Sequence, residues 1–163
     1  MNPCLPYGWQ AKGETVSITL KSNRRTNVFG IFSSDNRSFT KFSEQNINSQ
    51  FVVAVIDEFC QHIPVERPTV LVLDNASPHH SRLFKSQMEK WQEQELYIFY
   101  LPKYSPHLNI AEVLWRKAKY EWLKPADYIS FERFKEKTAE IFTNIGIKYR
   151  INFKEQKCQP IYA

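Results

Sequence analysis

Glycine is scarce in this sequence, with four residues among 163. A chain so poor in glycine is neither collagen-like nor a flexible linker. Cysteine is nearly absent: Cys4, Cys60 and Cys158 are odd in number and far apart. They fit neither a disulfide framework nor a zinc site, and read as free thiols in a reducing, cytoplasmic setting. The four histidines lack zinc spacing as well. Long apolar runs are missing. Phe51 to Ile56 is the longest, against the roughly 20 residues of a membrane helix, so no membrane association is expected. Residues 1–6 have no basic stretch followed by an apolar one and are not expected to act as a secretory leader. Repeats, low-complexity tracts and linkers are lacking too, and one domain over residues 1–163 is expected.

What the chain does have is material for a core: 42% of its residues are hydrophobic and 15% aromatic, which excludes a disordered class. Its net charge of +5 is unevenly placed. Residues 1–102 carry ten Lys/Arg and ten Asp/Glu, while residues 103–163 carry twelve against seven. A basic surface in the second part suits phosphate, although a solvated helical face gives the same count.

Glu14 to Leu20, Asn27 to Phe32 and Ser38 to Phe42 read as strands, the last two joined through Ser34-Asp35-Asn36. Apolar residues at helical spacing predict a helix over 48–62, ended by Pro64 and Pro68. Thr69 to Leu73 is a continuous apolar run of the kind seen in parallel strands covered on both faces. A helix is predicted from Ser77-Pro78 to about Gln92, with serine as cap and proline at its first position. A buried strand follows over 96–101, then a proline-bracketed turn and a helix from about Asn109 to Leu123. Phe131, Phe134, Thr138, Ile141, Phe142 and Ile145 line one face of a last helix. Meandering strands followed by strand–helix alternation predict an α/β fold with a mixed sheet covered by helices.

Two segments carry residues suited to chemistry. The first runs from Val72 to His80 and places Asp74 at the C-terminal end of a buried parallel strand, where open α/β sheets bind ligands. Its plain structural reading is a turn or helix cap, since Asp-Asn is common turn chemistry. The second runs from Leu101 to Trp115 and places Glu112 in the first turn of a helix. Its plain reading is a capping box, because Asn109 and Glu112 have the required spacing.

Together the segments say more. Leu-Asp-Asn-Ala-Ser, followed after one strand by Leu-Pro-x-Tyr-Ser-Pro-x-Leu-Asn-x-x-Glu-x-x-Trp, resembles the DDE transposases of mariner-related bacterial insertion sequences. Thirty-seven residues separate Asp74 from Glu112, close to the family's spacing. Tyr7 to Glu14 also resembles the family's Gly-Trp-x-x-Lys-Gly element. Lys103, His107 and Ile110-Ala111 depart from common family choices, at positions that are not ligands.

The resemblance implies a ribonuclease H-like fold, transposition by DNA cleavage and strand transfer, and three carboxylates holding two divalent ions, magnesium or manganese. Asp74 and Glu112 would be the second and third of these carboxylates. Implied partners are DNA, both transposon ends and target, and a second copy in a homodimer. Arg116, Lys119, Lys103 and His79 are candidate DNA contacts. Trp115 and Trp122 read as core, and Tyr104 as a packing residue of the turn that aims Glu112. The family's first Asp is expected upstream of Met1, and with it the central strand of the sheet. Asp35 and Asp57 match its position poorly. Two other readings stay open: an inactive DNA-binding or interaction remnant, and an autonomous ribonuclease H-like nuclease.

Overall fold

The computed structural model describes residues 12–13, 24–64 and 67–153. The strand expected over 14–20 lies outside them. Strands β1 (Asn27–Phe32) and β2 (Ser38–Ser43) form an antiparallel hairpin with Asn27 opposite Ser43. Its turn is closed by Ser33 N–H to Arg37 O at 3.0 Å, and Asn36 adopts the left-handed conformation. Helix α1 (Ser49–Cys60) starts where the Asn48 side chain accepts from Phe51 N–H at 2.9 Å. Strand β3 (Thr69–Leu73) lies parallel to β4 (Leu96–Tyr100), with Thr69 opposite Leu96.

The helix expected from Ser77 is divided. Ser77–His80 is a short 3₁₀ turn, and α2 spans Arg82–Glu93. Ser81 makes the division: its hydroxyl accepts from Phe84 N–H at 3.1 Å while its own ψ of 156° is extended. An N-cap residue has this backbone, so the helix restarts there. Helix α3 (Ile110–Lys117) runs into a π-helical turn, Ala118–Trp122, and α4 (Phe131–Thr143) is capped by Ser130.

The hairpin lies between two cores. Val28, Phe32 and Phe42 pack against a cluster that includes Leu114, Ile141 and Phe142 from α3 and α4. Phe29 and Ile31 pack against a second cluster of Val52, Ile56, Leu71, Leu73, Phe84 and Trp91. Strand β1 alternates between the two clusters because successive side chains point to opposite faces. Gly30 lets α3 approach the hairpin: a Cβ there would sit 3.1 Å from the Trp115 ring. Gly146 allows another close approach. Its φ is +83° and a Cβ would sit 2.7 Å from Asn36 O, where Asn36 also exchanges hydrogen bonds with the Ile151 backbone.

One expectation about burial is corrected. The strands β3 and β4 are covered on one face only. Leu71, Leu73 and Leu96 are buried beneath α1 and α2, whereas Val70 is 61% exposed and Phe99 57%. The cause is the placement of the C-terminal helices, since α3 contacts β1 and α4 contacts β2. Among the described residues the strands make two separate two-stranded sheets. Residues 28–32 of β1 and 69–73 of β3 line one pocket of about 960 Å³ between them.

Candidate active site

Asp74 follows β3 directly, so the strand fixes its Cα. Its side chain is about half exposed. Oδ1 accepts from Ala76 N–H at 3.1 Å and lies 3.0 Å from His79 Nδ1. The cap reading of Asp74 is thus met in part: one carboxylate oxygen holds a local turn. Its neighbour Asn75 reaches across the sheet and donates from Nδ2 to Leu101 O at 2.6 Å. Leu101 N–H in turn donates to Leu73 O at 2.8 Å. The first segment is therefore bonded to the residue at which the second begins.

His79 was a candidate DNA contact, and the fold turns it inward instead. It is 8% exposed, packed against Phe29 and Phe84, with its ring nitrogen toward Asp74. The short 3₁₀ turn that replaces the start of a surface helix is what directs it inside. Tyr100 supports the same turn by donating its hydroxyl to His79 O at 2.7 Å. Its ring stacks on His80 at 4.7 Å and 20°, and burial pushes the Tyr100 phenol up from its ordinary pKa. Neither Asn75 nor Tyr100 stood out in the sequence. Asn75 had a signal in the Asp-Asn pair, but Tyr100 had none beyond a strand position.

Glu112 sits in the first turn of α3. The capping-box reading does not hold. Asn109 Oδ1 accepts from Ala111 N–H at 3.1 Å, and the Glu112 side chain makes no hydrogen bond or ion pair with a described residue. Its carboxylate is exposed and uncommitted. Tyr104 is not a packing residue either. It is 97% exposed with φ of 58°, so it holds nothing. Trp115 anchors the helix, one turn beyond Glu112, against Gly30 and the Phe142 ring at 5.4 Å.

The two segments meet at the same pocket. Asp74, Ala76, Pro78 and His79 line it from one side of the sequence and Leu108 to Ala111 from the other. Glu112 is the next residue along. Arg116, Lys119 and Lys103 are exposed, and none has an ion-pair partner among the described residues. Asp57 accepts from Trp91 Nε1 at 2.7 Å and from Lys90 at 3.0 Å, which commits it to helix packing. Asp35 is held by Ser33 and Arg37 in the hairpin turn, and those bonds lower its pKa. No group of three possible metal ligands forms among the described residues.

Comparison with known proteins bears on the family and the fold. A family model for DDE superfamily endonucleases matches residues 1–135. Among solved structures, the crystal structure of the Mos1 strand transfer complex matches with a TM-score of 0.52 at 16% identity. The match covers 90% of this chain and 45% of that one, so the chain spans about half the length of that relative. At this identity the likeness is one of fold, and the fold is ribonuclease H-like, mixed α/β. The curated proteins give no match. The extent of the family match leads to one statement: the chain belongs to the DDE superfamily endonucleases.

Proposed function

We propose that this chain supplies Asp74 and Glu112 to a metal-dependent centre for phosphodiester cleavage and strand transfer at transposon ends. The observation that carries the reading is the unused Glu112 carboxylate. It stands at Asn109 spacing for a capping box yet makes none, one residue beyond the 108–111 segment that lines the same pocket as Asp74. A carboxylate left without a structural task at a pocket suits a ligand.

The donor set fits part of such a centre. Magnesium takes oxygen ligands and keeps several waters, so two carboxylates and a phosphate can hold one ion. When bound, a pair of magnesium or manganese ions would activate the attacking oxygen and stabilise the leaving one. A pair needs a third carboxylate, and no described residue supplies it. The proposal places that ligand upstream of residue 1, where the family resemblance expects the first aspartate. Within the chain, Asp74 and Glu112 bind and orient, and Arg116, Lys119 and Lys103 offer cations to DNA phosphates. Contacts of that kind give sequence-independent, salt-dependent affinity. A homodimer acting on two DNA ends belongs to the same proposal.

The lack of a third ligand among the described residues favours a second reading, a chain that binds DNA without cutting it. One assay separates the readings. Cleavage of DNA bearing the element's ends is measured with this chain, with the chain extended upstream, and with the extended form carrying Asp74→Ala or Glu112→Ala. The proposal expects magnesium-dependent cleavage by the extended form alone, lost in both variants. Cleavage by the short chain, abolished by Asp74→Ala, would mean that the third ligand lies within residues 1–163. No cleavage by any form would leave the binding-only reading standing.

A further inference from the structure

We propose that His79 is a positioning residue for Asp74, fixing one carboxylate oxygen so that the other is offered to a metal ion. The inference rests on the metal reading above but stands on separate contacts. His79 Nδ1 lies 3.1 Å from Asp74 O and 3.0 Å from Asp74 Oδ1. Both neighbours are oxygens, and a nitrogen facing two acceptors must carry the hydrogen. The Nδ1–H therefore donates to the main-chain oxygen, and the same ring nitrogen keeps the side-chain oxygen at ion-pair distance. Oδ1 also accepts from Ala76 N–H at 3.1 Å. One hydrogen bond and the His79 ring nitrogen both hold Oδ1, while Oδ2 accepts from no described residue.

His79 can hold this position because it is itself held. Its ring is wedged between Phe29 and Phe84, with ring centres at 6.5 and 5.8 Å, and its carbonyl accepts from the Tyr100 hydroxyl. The imidazole is 8% exposed beside a carboxylate that is about half exposed. The arrangement is a buried donor steering an exposed acceptor. It serves the role that groups behind a metal ligand generally serve, setting the orientation of the ligand atom.

Two substitutions separate positioning from packing. His79→Leu keeps apolar bulk between the phenylalanines and removes the donor. His79→Asn loses bulk and keeps an N–H at the Nδ1 position. Manganese binding by the full chain is read by electron paramagnetic resonance, and folding stability by thermal unfolding. The expected result is a Kd raised about tenfold or more in His79→Leu, and within about threefold of the parent in His79→Asn despite a lower Tm. A long-range nitrogen–proton spectrum of the parent should show His79 protonated at Nδ1. Crystal structures of both variants give a readout that needs no metal: a single Asp74 rotamer with asparagine, several with leucine. Affinity that follows stability instead, with asparagine the worse variant, would overturn the proposal. So would one fixed Asp74 rotamer in His79→Leu. If Asp74→Ala leaves manganese binding unchanged, the metal reading fails, and the rotamers still decide the role of His79.

Discussion

The two carboxylate-bearing segments are built in opposite ways. Asp74 follows a strand, and hydrogen bonds through Ala76, His79, Asn75 and Tyr100 knit its surroundings together. Glu112 sits on a helix secured at its start by Asn109 and one turn later by Trp115, and its own side chain makes no hydrogen bond or ion pair with a described residue. The loop before it carries an exposed Tyr104 in a backbone conformation that costs a non-glycine residue energy. The difference teaches that one carboxylate is preset by local hydrogen bonds and the other is positioned by the docking of a helix. Breaking each support in turn should show this asymmetry.

The largest effect is expected from Trp91→Ala. Trp91 is fully buried, packs edge-on to Phe84 at 4.9 Å and donates to Asp57. Removing it should cost about 3–5 kcal/mol in denaturant unfolding, mostly through the core beneath the Asp74 segment. A loss below about 1 kcal/mol would mean that this core does not carry the segment.

Asn75→Ala comes next. It cuts the bond to Leu101 O that joins the two segments. The expected loss is about 1 kcal/mol, in the range of a single net hydrogen bond. Amide exchange should quicken at residues 101–109 as well as at 74–76. Faster exchange at only one segment would show that they are independent. Asn109→Ala should cost about 1 kcal/mol through the lost cap, and its effect on exchange should stay within α3.

The helix that α3 packs beside offers a pH test. Glu140 accepts from Lys137 and from Lys148, and these bonds bring its pKa down to about 2 from 4.5. A lowered carboxylate pKa means stability that is present above 4.5 and is lost as pH falls toward 2. Glu140→Gln should flatten the stability profile across that window. An unchanged profile would show the pair to be without consequence for folding.

The smallest effect is expected at Tyr104. Tyr104→Gly removes no packing and relieves the left-handed backbone, so stability should hold or rise by up to about 1 kcal/mol. A clear loss would mean that Tyr104 packs after all and that the Glu112 segment is better supported than its contacts indicate.

Much of this was legible in the sequence, for physical reasons. Helix periodicity placed α1 and α4 because one buried face dictates the spacing, as with Val52, Val55 and Ile56. The hairpin was legible from Ser34-Asp35-Asn36, where a turn needs residues tolerant of positive φ. The depth of burial of β3 was not. Val70 and Val72 look the same whether a helix covers them or not, and which sheet a helix covers is decided by contacts distant in sequence. The break at Ser81 was missed because serine at 77 offers an equally good cap. At the site, Asp74 and Glu112 stood out from motif and spacing. The inward turn of His79 could not be read, since a 3₁₀ turn and a first helical turn share the same residues, Ser77 and Pro78, at the start.

The account depends on Asp74 and Glu112 serving one centre. The direct measurement is manganese-induced paramagnetic broadening in nuclear magnetic resonance spectra of the chain. Amides of residues 74–76 and 110–113 should broaden together at low metal concentration, and Asp74→Ala or Glu112→Ala should each abolish the broadening at both segments. Broadening confined to one segment, or surviving at the second when the first carboxylate is removed, would contradict the claim that the two belong to a single site.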